Sequence, residues 1–308
     1  MKLNNKFSAI TLITTVLITI SCTKNDKVTL EEMEVKTLEY TDLDYPSINY
    51  ENLSSDDLVI TDLDTDISSP VTKYKEGYIG SDKIHYQIND NGDYVIGGDI
   101  ILPKNTTITD KPVATAKGAI AVRIRPWTNG VIPILIHPNV PDANRNSIIQ
   151  AAGIWANRLG VQFVHFNSFV HRNFIHIVRG DGDSSHVGMV GGEQILTTHD
   201  SYLPVAIHEF GHALGLIHEH QRSDRNKYIA SSISDPNIDP QYSHNLTPFD
   251  WSSIMLYSSR YLGRGIYDMV RRRDYRPFTN IIEYGRQNGT IYGPSEYDVR
   301  ALSQFYQN

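Results

Sequence analysis

The stretch "HEFGHALGLIHEH", residues 208–220, sets His208, His212, His218 and His220 beside Glu209 and Glu219. Side chains four apart on a helix share a face, so His208 and His212 would present their imidazoles to one point. Gly215 follows three positions later and lets the helix end in a left-handed conformation that costs other residues more. The turn it permits would swing His218 back to the same point. Three imidazoles with a fourth position left open describe a catalytic zinc site rather than a structural one, with one Zn2+ per domain. Neutral ligands leave the metal its double charge, which lowers the pKa of a bound water and polarises a carbonyl. Glu209, next to the first ligand, is placed to take that water's proton and pass it to a leaving group. His220 lies too close behind His218 to reach the same point, and is read as an exposed or hydrogen-bonded histidine. The H-E-x-x-H pentapeptide alone is a weak sign; Gly and His at the next two three-residue steps make it specific.

Outward from this helix, the chain reads as a packed domain. A strand is expected near Val131–Ile136, then a helix over "RNSIIQAAGIWANRLG", strands at Val161–Phe166 and Phe174–Val178, and a Gly-rich passage before the histidines. After about residue 223 mostly irregular chain is expected, closed by a terminal helix in "SEYDVRALSQFYQ". Upstream, "GYIGSDKIHYQINDNGDYVIGGDIILP" suggests short strands and turns ending at Gly-Gly-Asp. Residues 23 to about 75 are polar and acidic, and suggest a loosely ordered accessory segment or short helices. No internal repeat stands out.

The 308 residues carry a formal net charge of −7, which argues against nucleic acid or an anionic membrane surface as partner. Lys2 and Lys6 precede an apolar core, Ile10 to Ile20, too short to span a bilayer; residues 1–21 read as an export signal. Cys22 is the single cysteine. At that point it resembles a bacterial lipid-attachment site, although Thr19 stands where such signals usually carry Leu; simple cleavage and release is the other reading. With no cysteine after residue 22 an internal disulfide is excluded, and the core alone must stabilise the fold.

At this point the sequence resembles the astacin family of metzincin zinc endopeptidases, and within it the bacterial, myroilysin-like members. "HEFGHALGLIHEHQRSDRNKYI" is close to the family's zinc-helix stretch, including Glu219, Arg222, Asp224 and Arg225. "FDWSSIMLYSS" looks like the Met-turn, which would put Met255 beneath the metal and make Tyr257 both a further zinc ligand and a donor to the tetrahedral intermediate. Leu256 departs from the usual His there, which should alter packing more than chemistry. "PWTNGVIPILI" resembles the first strand of the catalytic domain. "SSHVGMVGGEQ" resembles the edge strand on which substrate lies antiparallel, with Ser185, His186, Val187 and Gly188 facing it. "YVIGGDIILP" resembles the propeptide motif whose Asp silences the zymogen, here Asp99. The resemblance covers residues 94 to the C-terminus.

It implies an α+β metzincin-type fold, a twisted mixed sheet on two long helices with an irregular C-terminal subdomain. It implies a propeptide over 22–117 and a catalytic domain over 118–308, parted by an activating protease near Lys117–Gly118. The freed N-terminus would bury itself near Glu219; otherwise Glu219 is a solvated helix-end carboxylate. The expected protein is an exported, monomeric endopeptidase of extended polypeptides, either secreted or held at the outer surface of a bacterium by a lipid on Cys22. Astacins usually carry two catalytic-domain disulfides, which this chain lacks, and myroilysin-like enzymes suggest a propeptide cysteine as zinc-blocking ligand. Cys22, if not lipidated, is therefore the alternative to Asp99.

An arginine from "DMVRRRDYRP", Arg271, Arg272 or Arg273 with Arg264 and Arg276 nearby, is a candidate for the first primed pocket; a solvated loop is the plainer reading. Trp127, Trp155 and Trp251 read as core anchors. Tyr202 and Tyr228 read as core or rim, and His137, His165, His171, His176, His186 and His199 as structural. Two competing functions are a peptide-binding lipoprotein that does not cut and a zinc hydrolase of another amide, such as one in the cell wall. The first would be expected to lose Glu209 or a ligand, and the edge strand argues against the second.

Overall fold

Short apolar runs separated by glycine and polar turns give this chain fifteen strands among the residues described, which are 47–50, 53–58, 74–113, 124–233, 235, 237–238 and 243–307 of a computed structural model. The export signal, Cys22 and the Lys117–Gly118 junction lie outside these residues. In the N-terminal part come β1 (Ile48–Asn49), β2 (Lys75–Ile79), β3 (Asp82–Ile88), β4 (Tyr94–Ile96) and β5 (Ile100–Ile101). The central part contains β6 (Val131–Ile136), α1 (Asp142–Leu159), β7 (Gln162–His165), β8 (Phe174–Arg179), β9 (Ser184–His186), β10 (Glu193–Thr198) and α2 (Leu203–Leu214). The C-terminal part has β11 (Ile229–Ser231), β12 (Tyr261–Gly263), β13 (Ile266–Tyr267), β14 (Met269–Arg271), α3 (Ile281–Asn288), β15 (Ile291–Tyr292) and α4 (Glu296–Gln307).

Nine strands form one mixed sheet in the order β2-β3-β4-β5-β9-β10-β8-β6-β7. β7, β6, β8 and β10 run parallel, and bury Phe163, Ile132, Ile134, Ile175, Ile177 and Leu196, as a sheet covered by helices requires. β9 turns antiparallel to β10 and would be the edge. It is instead continued by β5, which pairs parallel with it, Ile100 opposite Ser185 and Ile101 opposite His186.

The helix α2 is enclosed on nearly every side: each of its residues except Val205 is buried. Two buried indoles fasten it. Trp155 of α1 donates to the Ile207 carbonyl at 2.9 Å, and Trp127 to the Ala213 carbonyl at 2.8 Å. Gly215 ends the helix at φ 128°, and its N–H reaches the Gly211 and His212 carbonyls. A Cβ there would stand 2.7 Å from the Phe305 ring, so the turn needs glycine twice over.

The α+β expectation holds, with α1 and α2 as the two principal helices. The C-terminal part is mostly irregular, as expected, and closes with the terminal helix α4; it also holds the short β11–β14 and β12–β13 ladders and α3. Two expectations are corrected. The acidic stretch contributes neither helix nor loose chain at residues 47–50 and 53–58. β1 pairs parallel with β15, and Leu58 is buried. Arg271 is no solvated loop residue but buried, held by Asp274 and by Ser55 and Asp56. Its planar fork needs that many acceptors to be buried at all.

Replacing Trp155 by Ala removes both the core filling and the tie to α2. Urea unfolding should show a loss of about 3–5 kcal/mol; a loss below about 1 kcal/mol would mean the indole is not the fastening it is taken for.

Candidate metal centre

The three histidines expected from the spacing converge. His208 and His212 project from α2, and His218 returns after the Gly215 turn; all three are buried. Each ring has its Nδ1 against an oxygen that can only accept. His208 donates to the Ile254 carbonyl at 2.8 Å, His212 to the Leu216 carbonyl at 2.8 Å, and His218 to the Gln221 amide oxygen at 2.9 Å. In neutral rings the Nε2 atoms therefore carry lone pairs. Those of His212 and His218 stand 3.1 Å apart in a buried space, which repels unless a cation or proton lies between them.

Asp99 enters the same space from the turn before β5. Its Oδ2 lies 3.2 Å from the His208 Nε2, and its Oδ1 lies 3.3 Å and 3.0 Å from those of His212 and His218. One ligand atom from each of the four residues falls within 4.8 Å of the others. Three nitrogens and a carboxylate oxygen, all buried acceptors, are a donor set for zinc, and the residues fit that ion. The turn that delivers Asp99 is tight. Gly98 sits at φ 102°, and a Cβ on it would come 3.1 Å from the Tyr257 hydroxyl.

Tyr257 donates its hydroxyl to the Asp99 Oδ2 at 2.5 Å. Burial, then the Asp99 charge, pushes the phenol well above its usual range. Glu209 is buried next to His208, and its Oε2 has no hydrogen-bond partner among the described residues. Burial, then the charges of Asp99 and Asp183, holds its carboxyl well above the ordinary carboxylate range. Burial would raise Asp99 too, but His218 and His212 outweigh it and keep it well below its usual value. His212 is pushed down to about 4 by burial.

Met255 is buried in contact with α2: a Cβ on Gly211 would meet its sulfur at 2.6 Å. Leu256 is fully buried in a second cluster with Phe249 and Phe278. Glu219 is not the solvated carboxylate of the alternative reading. It is mostly shielded from water, and accepts from the Asp250 amide at 2.7 Å and Arg222 at 2.9 Å; burial lifts its carboxyl to about 8. His220 is buried. It accepts from the Tyr257 amide at 3.3 Å and donates to the Asn237 carbonyl at 2.8 Å, so it braces Tyr257 instead of facing the centre.

Of the expected edge-strand residues, Ser185 and His186 lie in β9, whereas Val187 and Gly188 lie beyond it. The Gly188 amide is already given to the His212 carbonyl at 2.8 Å, and its own carbonyl accepts from Gln194, so neither is free for a ladder. Sequence reasoning does not single out Asp298. From α4 it accepts from Ser253 at 2.6 Å and from the Ile254 amide at 2.9 Å, and so fixes the carbonyl that orients His208. Its separation in sequence leaves no spacing signal. Gln221 escapes for a different reason, since it reads only as one letter of a family stretch.

These features define a candidate metal centre built from three histidines and a carboxylate on an α+β frame. The family model described as Astacin, a peptidase family, matches residues 119–307, and the chain belongs to the astacin family. The zinc metalloproteinase nas-13 of Caenorhabditis elegans is 24% identical over 266 residues, 81% of this chain and 57% of that protein. The bone morphogenetic protein 1 homolog of Strongylocentrotus purpuratus is 31% identical over 182 residues, 53% of this chain and 28% of that protein. The chain thus spans between about a quarter and just over half of these relatives. Among solved structures, high choriolytic enzyme 1, a hatching enzyme zinc-protease of the medaka Oryzias latipes, superposes with a TM-score of 0.52 at 26% identity, covering 62% of this chain and 98% of that one.

His186 yields a pH prediction. Its Nδ1 is buried without a partner among the described residues, and burial pushes the imidazole down to about 4, against the opposing pull of the Ile101 backbone and Asp93. A histidine depressed below its unfolded value of 6.5 favours the neutral form, so its share of stability is present above pH 6.5 and is lost as pH falls toward 4. His186→Gln should flatten the fall in urea-unfolding stability between pH 7 and 4 by up to about 3 kcal/mol. Parallel pH profiles for the two proteins would refute it.

Proposed function

We propose that this protein is the exported, inactive precursor of a zinc-dependent endopeptidase that cuts extended polypeptide. The observation that carries the reading is the convergence of three Nε2 lone pairs, each ring locked by its Nδ1, on a point that Asp99 fills from outside the family-matched region. Zinc bound there supplies a Lewis acid that polarises the scissile carbonyl and makes water a better nucleophile.

The chain's own residues do the rest. His208, His212 and His218 would hold the ion, with Tyr257 as a further ligand, and the Tyr257 hydroxyl would donate a hydrogen bond to the oxyanion as it forms. Glu209 accepts the proton of the attacking water and passes it to the departing amine. In the precursor, burial and then the Asp99 charge raise the Glu209 carboxyl; withdrawal of Asp99 removes that charge and favours the base form. An extended substrate would lie antiparallel along β9, at the edge that β5 occupies. Residues 1–21 serve export, with Cys22 lipidated or released. Residues up to 117 form the propeptide, and the mature enzyme works as a monomer. Cutting near Lys117 frees an N-terminus for the cavity of ≈ 110 Å³ beside Glu219, Arg222 and Phe305. Asp99 is favoured as the silencing residue because it already touches all three histidines.

The test is mass-spectrometric analysis of a peptide library digested by the activated, zinc-loaded protein. Glu209→Gln should retain one zinc per chain and lose about 10²–10⁴ in rate. After the cut near Lys117, the Asp99→Ala protein should reach full activity faster than the cut parent, because one of the contacts holding the propeptide is gone. Zinc-loaded, folded, activated protein that cuts nothing would overturn the reading in favour of a peptide holder or a hydrolase of another amide.

A further inference from the structure

Besides the Asp99 turn, the precursor's N-terminal part grips the rest of the chain at a second place. Ile48 and Asn49 pair with Ile291 and Tyr292, and the Tyr50 ring lies so close over Gly293 that a Cβ there would collide with it. The Arg158 guanidinium stands 4.4 Å from the centroid of the same ring. A self-closed turn follows, with Asp57 accepting from the Ser54 amide at 2.8 Å and its hydroxyl at 2.6 Å. That turn aims Asp56 at Arg271 and Arg273 and sends Leu58 inward, where the Leu58 carbonyl accepts from the Thr279 amide at 2.8 Å. Leu58 is 1% exposed and Arg271 is 2% exposed.

The arginine is the telling part. Asp274 takes its Nε and Nη2, leaving Nη1 to the Ser55 carbonyl at 2.5 Å and Asp56 at 3.0 Å. A buried guanidinium thus has one of its nitrogens satisfied by the N-terminal segment, and departure of that segment leaves the donor open. None of these contacts involves the metal centre, and residues 47–58 lie outside the family-matched region.

We propose that residues 47–50 and 53–58 are a second, independent anchor of the prosegment, so that a cut at the junction with the catalytic part leaves the propeptide bound and the cleft closed until this clasp is also lost. The proposal rests on the precursor reading above. Two anchors on one chain make the second contact intramolecular, which raises affinity by about 10²–10⁴ over either alone. Activation then needs more than one event: the junction cut, and removal of the clasp by further cutting or by competition for the Arg271 face.

The experiment uses the full chain, zinc-loaded, with a sequence-specific protease site in place of residues 114–117, cut to completion as judged by mass. The parent propeptide should co-elute with the catalytic part on gel filtration, and hydrolysis of a short fluorogenic peptide should stay suppressed. Asp56→Lys, at an exposed side chain facing Arg271, should weaken retention at least about tenfold, read as the dilution at which half the propeptide separates. Arg273→Asp should weaken it less, because Arg271 still faces Asp56. A parent propeptide that separates as readily as the Asp56→Lys form overturns the proposal, as does an Asp56→Lys form retained as tightly as the parent. Gel filtration needs no activity, so an Asp56→Lys catalytic part that is released yet cuts nothing would support the clasp and count against the peptidase reading alone.

Discussion

Everything at the centre depends on one constraint: three imidazoles must keep their Nε2 lone pairs aimed at a single buried point. Rotation of any ring would point an N–H there instead. The chain prevents this by tying each Nδ1 to an oxygen from a different piece of backbone or side chain: Ile254, Leu216 and Gln221. Those anchors are themselves held. Asp298 of α4 grips the Ile254 amide, and the same carboxylate accepts from the Ser295 amide at 2.9 Å. Asp250 takes the Ser295 hydroxyl, and its own amide reaches Glu219, beside His218. The C-terminal helix therefore belongs to the metal centre without touching it. Burial and its neighbour Asp250 push the Asp298 carboxyl up to about 6, which marks how far this support is removed from water.

The ligand histidines are readable in the sequence because helix geometry is local: positions 208 and 212 share a face by arithmetic, and Gly215 announces the turn that returns His218. Strand limits in the parallel sheet are readable for a similar reason, since Val131–Ile136 is a continuous apolar run bounded by a turn and a histidine. Contacts made across the fold are not. Asp298 looks like any carboxylate in the first turn of an amphipathic helix, and only tertiary structure turns it inward. Asp99 is visible through family resemblance, never through spacing. The acidic segment misleads because composition reports solvation, whereas two residues of β1 and one buried leucine are enough to dock it. Arg271 misleads likewise: a run of three arginines reads as exposed, yet its first member is buried among acceptors.

The sheet also shows how the precursor handles a hazard. An unpaired edge such as that of β9 invites any extended chain. Here β5 covers it, and β4, β3 and β2 extend the sheet outward antiparallel to one another. Ile96, Ile100 and Leu102 pack with Val187 into a small core of their own, so the cover is held by apolar burial as well as by backbone pairing. His186 lies within this seam, opposite Ile101 in the ladder.

The indoles of Trp127 and Trp155 carry a consequence beyond packing. Both end their N–H on carbonyls of the histidine-bearing helix, while Trp251, the remaining tryptophan, sits against Phe249 and Phe278 in a separate cluster. Indole emission shifts with the polarity and hydrogen bonding around the ring. Two of the protein's three indoles thus look directly at the helix that presents His208 and His212, and the third looks elsewhere. The molecule carries its own optical gauge of that helix, with an internal reference, and needs no added label to be followed as the centre fills or empties.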